Sequence, residues 1–326
     1  MPNVSVMSWN IENWGQGKNR TQMNDVVANV IFKYDPAVVA IMEVRSNIGA
    51  TLGARLCTCL NGLQAAPNRW DFKPSPQYGT RLEQYLWLWR KDLVTVNKLL
   101  FKDSWPVTIK LPGNKTKAGM LGFPRQATTD HPPYLGFFTF ANKANVPMSV
   151  LHAPGPQFMP NVVKAVANQA QISDFTGAVP AGALMGDFNI SPSDPTAGNG
   201  LTGFGPVVAL GYVQKIVNTF TSLNRVPPPN PLLTTAQMFS NQYDNLLVKP
   251  TADAAAGDVI DVVDDCVNPV ANATAGIANA LRTWAYFKVN GAAGQVPAFA
   301  NIYEGFASYR KIVSDHFPVI VDINWG

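Results

Sequence analysis

The stretch 37-AVVAIMEV-44 constrains the fold most: six apolar residues run without interruption after Pro36 before Glu43 appears. The run is too short for a core helix, and a strand wetted on one side would alternate polar with apolar side chains. It therefore predicts a strand covered on both faces, which requires packed layers above and below its sheet. The preceding segment supplies one such layer. Met23, Val26, Val27, Val30, Ile31 and Tyr34 recur at helical spacing up to Pro36, and a second helix is predicted over 48–63. Further strands are expected at 4–10, 84–89, 93–100, 134–140, 146–151, 244–249 and 317–323, with a helix over 162–175 feeding a strand that ends at Asp187. Helices alternate with strands in places, and strands follow one another directly elsewhere. The pattern is α/β, in one domain with mixed sheets. Surface insertions are expected near 103–131, 191–235 (with the Pro-rich 224-NRVPPPNPLL-233) and the Ala/Gly-rich 250–300.

Composition narrows the class. The chain has 326 residues, 47% of them hydrophobic, which excludes a disordered polymer. Only 14% are charged, against 25 Gly and 26 Pro, so the surface is rich in loops. A net charge of +4 is mildly favourable for a polyanion. Cys57, Cys59 and Cys266 form neither a disulfide framework nor a zinc site with histidine companions. No apolar run is long enough to span a membrane. The first strand follows Met1 almost at once, without a charged and apolar leader. The expectation is a cytoplasmic chain, one exported by a non-classical route, or one whose leader has been trimmed.

Polar residues gather where strands end. The stretch 183-ALMGDFNISPSD-194 closes an apolar run on Asp187 and Asn189, which would share one face of an extended strand and could grip an anion with its metal. The same pair also reads as an ordinary turn. Asn10 and Glu12, Glu43 and Arg45, His152, Asp244, and Asp315 with His316 occupy comparable positions. Each has a bland reading as a turn or surface residue, but ligands bind at the carboxyl ends of strands in open α/β sheets. Two of the three histidines, His152 and His316, lie among them. Oxygen and amide donors without cysteine favour Mg²⁺ or Mn²⁺, with Ca²⁺ as a further candidate. Carboxylates, a hard cation and two imidazoles together suit phosphate-ester cleavage.

The motifs WNIEN (9–13), MEVR (42–45), RLEQYLWLWR (81–90), LHAPG (151–155), MGDFN (185–189), YDNLLV (243–248) and SDHFPV (314–319) carry a family likeness. The chain resembles the endonuclease/exonuclease/phosphatase superfamily and, within it, the deoxyribonuclease I branch. The resemblance implies a four-layer sandwich of two packed mixed β-sheets flanked by helices, with the site on loops at one edge. It implies a metal-dependent endonuclease that hydrolyses double-stranded DNA with low sequence specificity, acting as a monomer. Glu43 is then the principal metal ligand, helped by Asn10 and Asp315, with Asp187 near metal and water. Asn189 donates to the scissile phosphate. His316 with Asp244, and His152 with Glu83, form two His–carboxylate couples whose acid and base roles stay open.

The resemblance also places Arg45 on the nucleic-acid backbone, whereas Arg81 stands where the branch has a minor-groove tyrosine, a place that an arginine can also enter. His131 aligns with a family arginine for which Arg125 is a substitute. Glu12 departs from the branch, where an arginine stands, and the cysteine pair of the animal enzymes has no counterpart. Glu12, Arg81 and the enlarged loops motivate an alternative substrate: a phospholipid, an inositol phosphate or another small phosphate ester. A non-catalytic binding module on the same scaffold is the remaining alternative, opposed by the intact set of polar residues.

Overall fold

The computed structural model describes residues 3–18, 20–45, 47–64, 68–78, 82–101, 106–110, 116–120, 133–153, 181–189, 204–208, 211–224, 235–249, 255–267 and 275–325. The chain begins with β1 (Val4–Trp14), α1 (Thr21–Tyr34), β2 (Val38–Val44), α2 (Gly49–Leu63), β3 (Trp70–Pro74), β4 (Gln84–Arg90) and β5 (Thr95–Val96). Next come β6 (Pro106–Lys110), β7 (Thr116–Met120), β8 (Tyr134–Phe140), β9 (Lys143–His152) and β10 (Gly182–Asp187). Then follow α3 (Gly205–Val208), β11 (Val213–Gln214), α4 (Thr235–Met238), β12 (Asp244–Lys249) and β13 (Asp258–Val259). The described chain finishes with α5 (Val262–Val267), α6 (Ala275–Asn290), α7 (Ile302–Ile312) and β14 (Val319–Ile323).

Two six-stranded mixed sheets form, one in the order β13-β14-β1-β2-β4-β3 and the other β11-β12-β10-β9-β8-β5. The apolar run of β2 explains their stacking. Val38, Ala40 and Met42 point into the space between the sheets, where Trp87, Trp89, Phe138, Met148, Met185 and Leu246 meet them. Val39 and Ile41 point the other way, into a core with Val27, Ile31, Leu52, Leu56, Leu281 and Phe306. Period-two alternation thus divides one apolar run between two cores. Helices α1, α2, α5, α6 and α7 cover the outer face of the first sheet. The expected helix at 162–175 lies outside the described residues.

Two expectations are corrected. Residues 93–100, read as one strand, hold only the short β5 and a single 3₁₀ turn at Lys98–Leu100, because Asn97 caps that turn by accepting from Leu99 N–H at 3.0 Å. The stretch 250–300, read as surface elaboration, contributes α6, whose Ile277, Leu281 and Trp284 are fully buried or nearly so. Gly276 lets Asn29 of α1 approach closely, and the Trp284 indole donates to Ile312 O at 2.9 Å.

The sheets share an edge where polar side chains gather. Parallel β1 and β2 bring Asn10 and Glu43 to it by their carboxyl ends, whereas antiparallel β4 brings Glu83 by its amino end. In the second sheet, Asp187 pairs with His152 across parallel β9–β10 and with Asp244 across antiparallel β10–β12. Gly186 makes this register possible. Its φ is +144°, and an added Cβ would stand 1.8 Å from Leu151 O. Gly186→Ala should therefore destabilise the fold by about 4 kcal/mol or more, read by denaturant unfolding. A change below about 1 kcal/mol would show that the two backbones are not constrained there.

Candidate active site

The site starts from strained strand ends. Glu12, Asn13, Glu43 and Asn189 all have positive φ, at 28°, 57°, 58° and 50°. Such left-handed turns re-aim side chains that an extended strand would send to alternate faces. Asn189 is instructive, because both sequence readings of the Asp187–Asn189 pair meet in it. Its N–H donates to Asp187 Oδ1 at 2.9 Å, so the pair does form a turn rather than one face of a strand. That turn leaves Asp187 Oδ2 directed at the histidines, while Asn189 Nδ2 donates to Ala153 O at 2.9 Å.

Two His–carboxylate couples converge on Asp187. His316 Nδ1 lies 2.6 Å from Asp244 Oδ2, and its Nε2 is 3.6 Å from Asp187 Oδ2. His152 Nδ1 lies 3.3 Å from Glu83 Oε2, and its Nε2 is 3.8 Å from the same Asp187 oxygen. His152 Nε2 is also 3.5 Å from Glu43 Oε1. Asn10 ties the two sheets together, its Nδ2 donating to Glu43 Oε1 at 3.1 Å and to Asp187 Oδ2 at 3.0 Å. Asp315 Oδ1 stands 3.7 Å from His316 Nε2. The structure thus gathers Asn10, Glu43, Glu83, His152, Asp187, Asn189, Asp244, Asp315 and His316 at one place.

The cationic residues behave differently. Arg45, expected on a nucleic-acid backbone, is held by Glu43 Oε2 at 3.3 Å and Glu83 Oε1 at 3.0 Å. Its guanidinium is drawn inward by the two carboxylates that flank it. Arg81, Arg125 and His131 lie outside the described residues. Glu12 is paired with Arg310 at 3.2 Å, and Arg310 also reaches Asp315 Oδ2 at 3.5 Å. Lys18 donates to Glu12 O and, at 3.0 Å, to Val313 O.

Arg310 and Lys18 escaped the sequence reading. Arg310 lies in α7, where a capping signal was present: Asn301 accepts from Glu304 N–H at 3.1 Å, ahead of Phe306, Tyr309 and Ile312 on one face. Nothing marked Lys18, which donates to backbone carbonyls, one of them, Val313 O, distant in sequence. Ser314 and Tyr309 were also missed. Ser314 Oγ donates to Asn10 O at 2.6 Å, and Tyr309 OH to His316 O at 2.7 Å, fixing the approach to β14 against β1.

Burial and charge shape the proton affinities. Burial alone would lower His152, but Glu43, Glu83 and Asp187 outweigh it and push it up to about 9. Burial likewise opposes protonation of His316, while Asp244 and Asp187 raise it well above the ordinary value. Burial raises Asp187 despite its two imidazole neighbours. Glu43 is pushed up by burial but ends below its ordinary value, held there by His152 and by hydrogen bonds from Asn10 and Asn13. Burial, then Asp315, raises Glu12.

The donor set fits a hard divalent cation. Asp187, Asp244 and His316 each offer a donor atom within 4.8 Å of the others, and Asp244 Oδ1 is buried without a hydrogen-bond partner. Glu43 Oε1 and Asp187 Oδ2 are aimed at a common point, now served by the Asn10 amide. The carboxylate oxygens suit Mg²⁺, Mn²⁺ or Ca²⁺, and the absence of thiolate from the set argues against a structural zinc centre.

Comparison with solved structures gives the fold its context. The chain aligns over 99% of its length with 98% of an endonuclease/exonuclease/phosphatase family protein from Bacteroides thetaiotaomicron, at 14% identity and a TM-score of 0.57. It aligns over its full length with 89% of the AP endonuclease LMAP from Leishmania major, at 9% identity and a TM-score of 0.52. It covers 94% of ANGEL2, a 2′,3′-cyclic phosphatase, over 98% of its own length, at 11% identity and a TM-score of 0.50. This is the fold of the endonuclease/exonuclease/phosphatase superfamily. No protein-family profile and no curated protein sequence matches the chain. Among the described residues, no helix is long and apolar enough to cross a membrane.

The histidines make metal-free stability depend on pH. Both folded-state values exceed the ordinary imidazole value near 6.5, so their contribution is fully present below that pH. It is lost as pH rises through about 9 for His152. Thermal unfolding in EDTA should show a melting temperature that falls above pH 6.5, with a shallower fall in His152→Gln. A flat profile up to pH 10 would contradict it.

Proposed function

We propose that the chain is a divalent-metal-dependent phosphodiesterase, an endonuclease that hydrolyses double-stranded DNA with low sequence specificity. One observation carries this reading: two imidazoles, each backed by its own carboxylate, turn their Nε2 atoms on the single buried Asp187. Hydrolysis of a phosphodiester needs a proton removed from water on one side of phosphorus and a proton delivered to the ester oxygen on the other. A bound Mg²⁺ or Mn²⁺ would neutralise phosphate charge and stabilise the departing oxygen, held by Glu43, Asp187, Asn10 and Asp315.

The chain's own residues do the rest. Asp244 and Glu83 each accept from the Nδ1–H of their histidine, which fixes the ring and leaves Nε2 to exchange the proton. Asp187, raised by burial, is suited to receive the proton of the attacking water. The water oxygen forms the new bond to phosphorus, the ester bond breaks, and an imidazolium gives its Nε2 proton to the leaving oxygen. Asn189 has one amide hydrogen engaged by Ala153 and a second to offer a phosphoryl oxygen.

A second substrate class has its own support. Arg45 is held between Glu43 and Glu83 and Arg310 between Glu12 and Asp315, so the described rim offers little uncompensated positive charge to a long polyanion. That favours a small phosphate ester. The AP endonuclease and the 2′,3′-cyclic phosphatase among the structural neighbours span the same choice.

Purified protein with Mg²⁺ or Mn²⁺ should convert supercoiled plasmid to nicked and linear forms, and EDTA should abolish this. His152→Ala and His316→Ala should each lower kcat by about 10²–10⁴ while far-UV dichroism is unchanged. Intact plasmid across the metal series, beside turnover of a cyclic nucleotide or an inositol phosphate, would transfer the site to small esters. No turnover of any of these substrates would leave the scaffold non-catalytic.

A further inference from the structure

The two arginines of the site stand in matching positions. Arg45 bridges Glu43 to Glu83, the partner of His152. Arg310 bridges Glu12 to Asp315, the neighbour of His316. In each case the guanidinium takes one oxygen of a carboxylate whose other oxygen faces an imidazole. Glu43 Oε2 receives Arg45 at 3.3 Å and Asn13 N–H at 3.0 Å, leaving Oε1 toward His152 Nε2 at 3.5 Å. Asp315 Oδ2 faces Arg310 at 3.5 Å, leaving Oδ1 toward His316 Nε2 at 3.7 Å. The arginines approach from opposite sides, one from the end of β2 and the other from α7.

We propose that Arg45 and Arg310 are positioning residues that restrict Glu43 and Asp315 to one metal-facing oxygen each, so that the site selects Mg²⁺ or Mn²⁺ over Ca²⁺. This rests on the metal site of the preceding reading but not on its substrate. The physics lies in coordination number. Ca²⁺ gathers six to eight oxygens and readily takes both oxygens of a carboxylate, whereas Mg²⁺ keeps a tight octahedron filled out with water. A guanidinium paired with the outer oxygen of a carboxylate disfavours the rotation that would offer both oxygens to one cation. Neighbouring structure holds each clamp in place. Lys18 pins Glu12 O and Val313 O, fixing the end of β1 beside the end of α7. Planar guanidinium nitrogens let Arg310 hold two carboxylates at once through NH1 and NH2, which an ammonium group does less well.

Calorimetric titration of the full chain, stripped of metal and given MgCl₂, MnCl₂ or CaCl₂ without substrate, reads the selectivity directly. The unaltered chain is expected to bind Mg²⁺ and Mn²⁺ more tightly than Ca²⁺. Arg45→Met and Arg310→Met should each shift the ratio of Ca²⁺ to Mg²⁺ affinity by about tenfold toward Ca²⁺. Arg310→Lys keeps the charge and should shift the ratio the same way by a smaller factor. Equal tightening of all three cations in the Met variants, with Arg310→Lys unchanged, would mean that charge alone acts, and would overturn the proposal. So would a preference for Ca²⁺ in the unaltered chain, or an unchanged ratio in every variant. If Arg45→Met fails to fold by dichroism, the two Arg310 variants decide. An unaltered chain that binds no divalent cation defeats the metal site itself, whereas normal Mg²⁺ binding with unmoved ratios defeats only the clamps.

Discussion

The closeness of two backbones at Gly186 and Leu151 governs the rest of the site. Because no side chain separates them, β10 lies in register with β9, and Asp187 falls between His152 on one side and Asp244 on the other. A shift of one residue would turn every side chain of β10 to the opposite face and carry Asp187 away from both couples. The apolar runs of β2, β4 and β10 then hold that register by burying both faces of their sheets, so the position of the charges is set by hydrophobic packing beneath them.

A second balance is electrostatic. The carboxylates of Glu12, Glu43, Glu83, Asp187, Asp244 and Asp315 outnumber the fixed cations Lys18, Arg45 and Arg310. Proximity of like charges in a poorly hydrated place would oppose folding if nothing offset it. In the metal-free protein the imidazoles provide that offset by holding protons above their ordinary range. Their protonation and the occupancy of a cation are therefore linked, since each compensates the same negative charge.

Much of the fold was legible because its strands are apolar on both faces. β4 and β12 begin where the residue pattern places them, at Gln84 and Asp244, and α1 follows the spacing from Met23 to Tyr34. Helices α6 and α7 were less visible. The small residues of α6 carry little amphipathic contrast, and α7 spans only 11 residues, although Phe306, Tyr309 and Ile312 share one buried face behind the Asn301 cap. At the site, residues inside linear motifs could be read, and the structure brings them together. Arg310 and Lys18 could not, because their roles arise from partners far along the chain, Glu12 with Arg310 and Lys18 with Val313. Arg45 was visible, but its direction was not. Only the left-handed turn at Glu43 and the carboxylate of Glu83 decide that it faces inward.

Met42 belongs to the first sheet, yet its sulfur lies 3.2 Å from the Asp187 N–H of the second. The polar cluster is thus assembled across a seam between two slabs, and a soft thioether is one of the joints. Slippage of one slab by a fraction of a bond length would alter the spacing of the imidazoles, since His316 precedes β14 of the first sheet and His152 ends β9 of the second. The geometry of the polar cluster is therefore exposed to the fit of side chains deep in the seam.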